Sequence, residues 1–161
     1  MRKYVGPLDE HPSTVAQGER TLPLQSVATV FVTSEMEEHP VEHLFDGQHG
    51  ADAPRWVAGE PGEQTVLLAF DTPLPTRHLL LEVHERETAR TQELEVSVST
   101  NGGNTYRELI RQEFTFSPPG TTCERETWTL SIDPITHLRL RVKPDKSGGP
   151  SRATITSLVL S

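Results

Sequence analysis

Apolar residues recur at every second position over most of the chain. The segments "ELEVSVS" (93–99), "TWTLSI" (127–132) and "HLRLRV" (137–142) each alternate an apolar with a polar residue. This spacing puts the two classes on opposite faces of a β-strand, so we expect antiparallel sheets with one face against a core. The side chains predicted to enter that core are Leu94, Val96, Val98, Trp128, Leu130, Ile132, Leu138, Leu140 and Val142.

Five further segments have strand character, and turn residues such as Asn101-Gly102-Gly103 separate them. They lie at 28–33, 65–70, 77–84, 104–112 and 153–160. No ten-residue window has the 3.6-residue period of a helix, and "HPVEHLF" makes at most one helical turn with Pro40 at its first position. About eight short strands with regular turns predict a β-sandwich, and the absence of an internal repeat argues against a propeller.

The charge balance and the cysteine count argue against several classes of function. The formal net charge is −8, with 15 basic against 23 acidic residues and no basic run, which is unlike a nucleic-acid binder. Cys123 is the only cysteine, so we expect no internal disulfide, no metal–thiolate cluster and a cytoplasmic location. The N-terminus lacks the apolar segment of a secretory signal, and no apolar run is long enough to span a membrane.

Residues 1–24 differ in composition from the rest of the chain. Glycines and prolines interrupt a stretch with few large apolar residues. This composition predicts an irregular N-terminal arm over 1–24, followed by one domain over 25–161. The arm lies either along its own domain or on a neighbouring copy, so a homo-oligomer formed through it stays open.

Three segments, taken in order, are similar to a known family. They are "VTSEMEEHPVEHLFDGQHGADAPRW" (32–56), "LEVSVSTNGGNTYREL" (94–109) and "THLRLRVKPDKSGGPSRATITSLVL" (136–160). They resemble the opening strand with its "DG" loop, the hairpin and the final strands of the discoidin, or coagulation factor 5/8 type C, domain. The resemblance implies an all-β, eight-stranded antiparallel jelly-roll sandwich of the galactose-binding-like class. Its members mostly bind sugars, phospholipid head groups or proteins without catalysis, and their loops select the ligand.

In sugar-binding members the ligand lies at the loops of one end of the sandwich, where polar groups bind hydroxyls and an aromatic ring covers the sugar. The loop "VHERETARTQE" (83–93) supplies polar candidates here. The competing interpretation is a solvated charged loop with the tryptophans in the core. The predicted ligand-binding residues are His84, Glu85, Arg86, Arg90, Trp56 and Phe116. The predicted partner is a carbohydrate, and the alternative function is an intracellular protein–protein adaptor.

The resemblance also implies a structural calcium ion at the "DG" loop, held by Asp46 and, nearby, Asp52. Calcium takes six to eight oxygen ligands, usually including several carboxylates. Ser157 stands where the family has a glutamate, so one carboxylate is missing. We therefore predict no bound metal, with the Asp46 carboxylate bonded to its own turn.

Three other features are candidates for a site. His39, His43 and His49 are close in sequence, but Pro40 intervenes, so surface histidines are expected rather than a zinc site. The segment "TFSPPGTTCERE" (115–126) is long for a loop and contains Cys123, but no histidine is indicated beside the thiol, so we expect no nucleophile.

The turn "STNGGNTY" (99–106) nearly matches the Asp-box, Ser-x-Asp-x-Gly-x-Thr-Trp. We interpret it as a tight hairpin with Gly102 at positive φ rather than as a ligand site. The sequence contains no Ser–His–Asp set, phosphate-binding glycine loop or zinc-hydrolase motif, so we predict that the chain is not an enzyme.

Overall fold

A computed structural model describes residues 2–7 and 28–161, which form a β-sandwich. Its strands are β1 (Arg2–Val5), β2 (Ala28–Val32), β3 (Trp56–Val57), β4 (Gln64–Leu74), β5 (His78–His84), β6 (Arg90–Ser99), β7 (Arg107–Phe116), β8 (Cys123–Thr129), β9 (Ile135–Lys143), β10 (Thr154–Ile155) and β11 (Ser157–Leu160). A 3₁₀ helix spans Val41–Phe45. No helix in this part of the chain has the length and apolarity needed to cross a membrane.

The strands form two main sheets around one core. The larger sheet has the order β1-β2-β4-β9-β6-β7, the smaller has the order β11-β5-β8, and β10 pairs with β3. Without the short strands β1, β3 and β10, five strands face three, which are the eight strands of the predicted jelly roll. All pairs are antiparallel except β1 with β2. The prediction of an all-β, galactose-binding-like sandwich is therefore confirmed.

The period-two pattern identified most of the core correctly. Leu94, Val96, Val98, Leu138, Leu140 and Val142 are all buried, because β6 and β9 lie inside the larger sheet and are covered on their inner face. The prediction was wrong in degree for Trp128, Leu130 and Ile132, which are only partly buried. Strand β8 is the edge of the smaller sheet and ends at Thr129, so these side chains reach only the rim of the core.

Three predicted boundaries differ from the structure. Strand β7 continues to Phe116 and β8 begins at Cys123, so the predicted long loop over 115–126 is only 117–122. Strand β6 begins at Arg90, so the charged loop is confined to 85–89. The predicted helical turn is present over Val41–Phe45, but Pro40 is its extended N-cap rather than its first residue.

The N-terminal segment is ordered where the sequence predicted an irregular arm. Residues 2–5 form strand β1, which lies parallel to β2 of its own domain, while residues 8–24 of the predicted arm lie outside the described residues. The Lys3 ammonium contacts the carboxylates of Glu35 and Glu42 at 2.8 and 2.7 Å. The Tyr4 ring stacks on Phe31 with 5.1 Å between ring centroids. These contacts hold β1 along its own sheet.

The hairpin over residues 99–106 has the predicted glycine conformation but is wider than predicted. Gly102 has a φ of 76°, in the left-handed region, as expected. However, β6 ends at Ser99 and β7 begins at Arg107, so residues 100–106 connect the strands in place of a two-residue primed turn. The Ser99 hydroxyl accepts hydrogen bonds from the N–H groups of Gly103 (2.9 Å) and Asn101 (3.3 Å), and the Asn101 side chain accepts one from the Thr105 N–H (3.0 Å). The Asp-box-like side chains therefore hold their own turn together.

The central position of β9 generates a stability prediction. We expect Leu140→Ala to lower the free energy of unfolding by about 2–5 kcal/mol, because the side chain is fully buried and its removal leaves a cavity. Val159→Ala is the control, since Val159 is 42% exposed and should change stability by less than about 0.5 kcal/mol. Denaturant unfolding of both variants measures the difference. Equal losses would show that the strand phase is misassigned.

Candidate functional site

A cleft of about 740 Å³ lies at one end of the sandwich. Its walls come from the segment between β2 and β3, the loop between β5 and β6, and the segment between β9 and β10. Residues far apart in the chain meet here because these connections leave the two sheets at the same end. Most of the lining side chains are charged or polar, so the cleft suits a hydrophilic ligand.

The short loop between β5 and β6 is held by a nearly buried ion pair. The Arg90 Nε donates to the Glu85 carboxylate at 2.8 Å, and its Nη1 donates to the Pro144 carbonyl at 2.6 Å. The Arg90 side chain is only 2% exposed, so its donors serve the protein and not a ligand. The prediction that Arg90 binds ligand directly is therefore wrong, because the side chain is enclosed at the start of β6. It positions Glu85 instead.

Arg86 and Asp52 form an exposed pair across the cleft wall. The Arg86 Nη2 lies 2.9 Å from the Asp52 carboxylate, and the two side chains are 50% and 97% exposed. A surface pair of this kind contributes about 0–1 kcal/mol to stability. Its groups are therefore free to exchange partners with a hydroxyl-bearing ligand. Glu85 and His84 also line the cleft, so four of the predicted binding residues lie around it, counting the enclosed Arg90.

The two predicted aromatic partners are not in the cleft. Trp56 and Phe116 are fully buried in the core, where Trp56 Nε1 donates to the Ser34 carbonyl at 3.1 Å. Their assignment as ligand-binding residues is wrong because both lie on strands with their rings facing inward. Among the described residues, no Trp, Tyr or Phe lines the cleft. A sugar bound there would rest on polar groups and on the imidazole rings of His39 and His43.

The three clustered histidines do not converge on one point. His39 and His43 are half-buried in the cleft wall, whereas His49 is exposed. His43 Nδ1 lies 3.0 Å from the Arg55 carbonyl, which orients its ring. Burial lowers the pKa of His39, and the charges of Arg55 and His43 lower it further. These rings are therefore cleft-wall groups rather than the purely surface histidines that were expected.

The carboxylate of Asp46 is engaged within its own loop. The Asp46 carboxylate accepts a hydrogen bond from the Gln48 N–H at 2.8 Å, the Asx turn that was predicted. Glu82, which pairs with Ser157 across β5 and β11, brings a carboxylate into this region. That carboxylate accepts a hydrogen bond from the Gly50 N–H at 2.8 Å. Calcium takes six to eight oxygen ligands, and the absence of a bound ion stays a prediction.

Glu82 is the anchor of this loop, and the sequence analysis missed it. Its side chain is 5% exposed and also contacts His84 Nε2 at 3.1 Å and Arg125 Nε at 3.9 Å. Burial alone would raise the pKa of Glu82, but the hydrogen bond from Gly50 and the contacts with His84 and Arg125 outweigh it and lower the pKa. A glutamate inside the otherwise apolar "LLLEV" was the available signal.

Cys123 lies beside a histidine, contrary to the prediction. Its Sγ is 3.7 Å from His84 Nε2, because the two residues face each other across β5 and β8. Partial desolvation by neighbouring residues raises the pKa of the Cys123 thiol, and the negative charges of Glu82 and Glu124 raise it further. A reactive cysteine has a lowered pKa. The raised pKa therefore still supports the prediction that Cys123 is not a nucleophile. The reason given for that prediction, that no histidine lies beside the thiol, was wrong.

A second, smaller cleft of about 430 Å³ lies beside the 99–106 hairpin. Its lining includes Thr105, Tyr106, Arg107 and Asp133. The Tyr106 ring is packed under the Arg139 guanidinium, 4.1 Å from its centroid, and lies edge-on to His137. The ring is thus already engaged with the protein on the larger sheet.

Comparison with solved structures identifies the fold. The family 32 carbohydrate-binding module (CBM32) of AlyQ, in complex with 4,5-unsaturated mannuronic acid, matches with a TM-score of 0.59 and 15% identity over 84% of this chain and 95% of that one. The family 32 module from C. perfringens NanJ, in complex with galactose, matches with 0.55 and 16% over 84% and 94%. The lectin domain of lectinolysin, complexed with Lewis B antigen, matches with 0.60 and 10% over 82% and 90%.

The chain has the galactose-binding-like fold. The resemblance inferred from the sequence is thereby confirmed at the level of the fold. No protein-family model matches the chain, and no curated protein matches its sequence. At these identities the galactose-binding-like fold is what is shared, and the ligands named above belong to those proteins.

The loop geometry generates a calcium prediction. We expect the thermal unfolding of the metal-free protein to be unchanged by added calcium, because the Asp46 carboxylate closes its own turn and Asp52 pairs with Arg86. A bound ion would stabilise the fold by about 2.7 kcal/mol at a hundredfold excess over its dissociation constant. The measurement is a melting curve with and without calcium. A calcium-dependent rise in Tm that Asp46→Ala abolishes would contradict the prediction.

Proposed function

We propose that this chain is a non-catalytic carbohydrate-binding module whose glycan site is the cleft between the β2–β3, β5–β6 and β9–β10 connections. The observation that carries the proposal is the exposed Arg86–Asp52 pair next to Glu85 in that cleft. The fold shared with sugar-binding modules supports it.

The chemistry of the pair suits a sugar. A guanidinium offers five fixed donors and a carboxylate only acceptors, so together they match a hydroxyl pair that both donates and accepts. Glu85 adds acceptor oxygens whose position is fixed by Arg90. Hydrogen bonds to charged groups contribute about 1.5–3 kcal/mol each, which is enough to orient a small ligand.

The absence of an aromatic ring in the described lining sets the strength of binding. An aromatic platform contributes about 0.5–1.5 kcal/mol beyond the area that it buries. Without it, affinity rests on the polar groups, and we expect dissociation constants of about 1 mM for a single sugar unit, equivalent to about 4 kcal/mol. Specificity should follow the arrangement of hydroxyl and acidic groups on the sugar.

The alternative function is an intracellular protein–protein adaptor of the same fold. A docking surface usually needs a contiguous apolar patch of several hundred Å². The exposed large hydrophobic side chains of the described residues are Tyr4, Val5 and Val159, and the first two lie together on edge strand β1. This small patch supports the adaptor less than the polar cleft supports a glycan.

The proposal predicts glycan binding that depends on Arg86. The full chain is titrated calorimetrically with galactose, a mannuronate oligosaccharide and a fucosylated oligosaccharide. We expect at least one to bind, and Arg86→Ala to weaken that binding by about tenfold or more, because about 1.4 kcal/mol corresponds to a factor of ten.

The matched control is Arg107→Ala, which removes an exposed arginine beside the second cleft. This variant should bind with unchanged affinity. Loss of binding in Arg107→Ala but not in Arg86→Ala would move the site to the hairpin end. Failure of the whole panel to bind would overturn the glycan proposal in favour of a protein partner.

A further inference from the structure

Three side chains of metal-ligating type converge on the outer face of the smaller sheet. The ligand atoms of Glu82, His84 and Cys123 all lie within 4.8 Å of one another. His84 Nε2 is 3.1 Å from the Glu82 carboxylate and 3.7 Å from Cys123 Sγ. No other such group occurs in the described part of the chain.

Regular strand geometry builds this group. Glu82 and His84 are two residues apart on β5, so their side chains point to the same face. Cys123 is paired directly with His84 across β5 and β8, which places its side chain on that face as well. The positions are thus set by a hydrogen-bonded strand pair and not by a loose loop. A site on such elements is well ordered before a ligand arrives.

The arrangement does not suit a nucleophilic relay. In a Cys–His–carboxylate relay the two imidazole nitrogens have different partners, one for the nucleophile and one for the carboxylate. Here the same atom, His84 Nε2, faces both the Glu82 carboxylate and the Cys123 sulfur. A proton cannot be passed through the ring from one to the other. Three ligand atoms that face a common point are instead the arrangement expected around a metal ion.

We propose that Glu82, His84 and Cys123 form a zinc site. Zinc bonds of about 2.3 Å to sulfur and about 2.1 Å to nitrogen and oxygen put tetrahedral N and O ligands about 3.4 Å apart and N and S ligands about 3.6 Å apart. The corresponding distances here are 3.1 and 3.7 Å, and the Glu82 carboxylate and Cys123 Sγ lie within 4.8 Å of each other. Binding therefore requires the carboxylate and the thiol to approach each other by at most about 1.2 Å. A thiolate and a carboxylate neutralise the charge of the ion.

The surroundings fit a zinc site with one open position. Glu82 keeps a hydrogen bond from the Gly50 N–H, and such outer contacts orient metal ligands. The hydrogen bond between His84 and Glu82 is the contact that the ion replaces. Cys123 is exposed, so a water molecule can occupy the fourth position. A thiolate and an imidazole select zinc over calcium, which prefers oxygen ligands.

The zinc site reverses the sequence-based expectation of no metal. That expectation considered calcium at Asp46 and zinc at the clustered histidines, and it treated a lone cysteine as inert. The zinc site uses none of those calcium or histidine-cluster residues. Its His84 also lines the proposed glycan cleft, but metal binding is read out directly and does not require a sugar, so the two proposals can fail separately.

The test is metal titration of the full chain, reduced and freed of metal. We expect calorimetry to give one zinc ion per chain, and cobalt(II) to produce a thiolate-to-metal charge-transfer absorption. Cys123→Ser should abolish that absorption, and both Cys123→Ser and His84→Gln should weaken zinc binding by at least about a hundredfold, since even loss of an outer contact weakens metal sites by about 10–100-fold. Calcium should give no binding.

The matched control is His78→Gln, an exposed histidine on the same strand, which should bind zinc with unchanged affinity. Melting curves confirm that each variant is folded; Cys123 is exposed, so Cys123→Ser is expected to fold. Cys123→His should retain zinc and lose the cobalt–thiolate absorption. The absence of stoichiometric zinc binding would overturn the proposal. Binding that survives both Cys123→Ser and His84→Gln would overturn it equally.

Discussion

The buried carboxylate of Glu82 organises the loop end of the molecule. A charge removed from water must be compensated by hydrogen bonds or opposite charges, because an isolated buried ion costs several kcal/mol. Glu82 meets this requirement with the Gly50 N–H, His84 and Arg125. Each partner comes from a different position in the chain, so satisfying one carboxylate fixes the loop after Asp46 against strands β5 and β8. Asp52 is carried by that same loop to its contact with Arg86.

The fold as a whole depends on the alternation of apolar and polar residues, which is visible in the sequence. Strands such as β6 and β9 lie inside a sheet, so one face is always covered and alternation appears in full at Leu94, Val96, Leu138 and Leu140. The same reasoning overestimated the burial of Trp128, because its strand is an edge and an edge strand has a neighbour on one side only. Periodicity reports which face a residue occupies. It does not report how far that face is covered.

The candidate site was less predictable than the core because it depends on contacts between distant segments. The alternation of Phe114 and Phe116 around Thr115 was visible in the sequence, and extending that strand would have placed Phe116 in the core. Trp56 lies on a two-residue strand whose partner is β10, so its burial follows from pairing across about a hundred positions. His84 and Cys123 meet for the same kind of reason. Such contacts depend on which strands become neighbours in a sheet, and no local pattern encodes the neighbour of a strand that is distant in the chain.

Charge was also an ambiguous guide to exposure. Arg90 belongs to a charged stretch and looks like a surface residue, yet its guanidinium is enclosed by Glu85, Gln92 and the Pro144 carbonyl. Arg86, four residues earlier, stays exposed. The difference is that Arg90 begins a strand, where its side chain points across the end of the sandwich. The two arginines of this short segment therefore have different roles. Arg90 stiffens the loop and holds Glu85 in place, whereas Arg86 stays exposed beside it. A cleft without an aromatic platform needs such prior ordering of its polar groups, since each side chain that must be immobilised on binding costs about 0.5–1.5 kcal/mol.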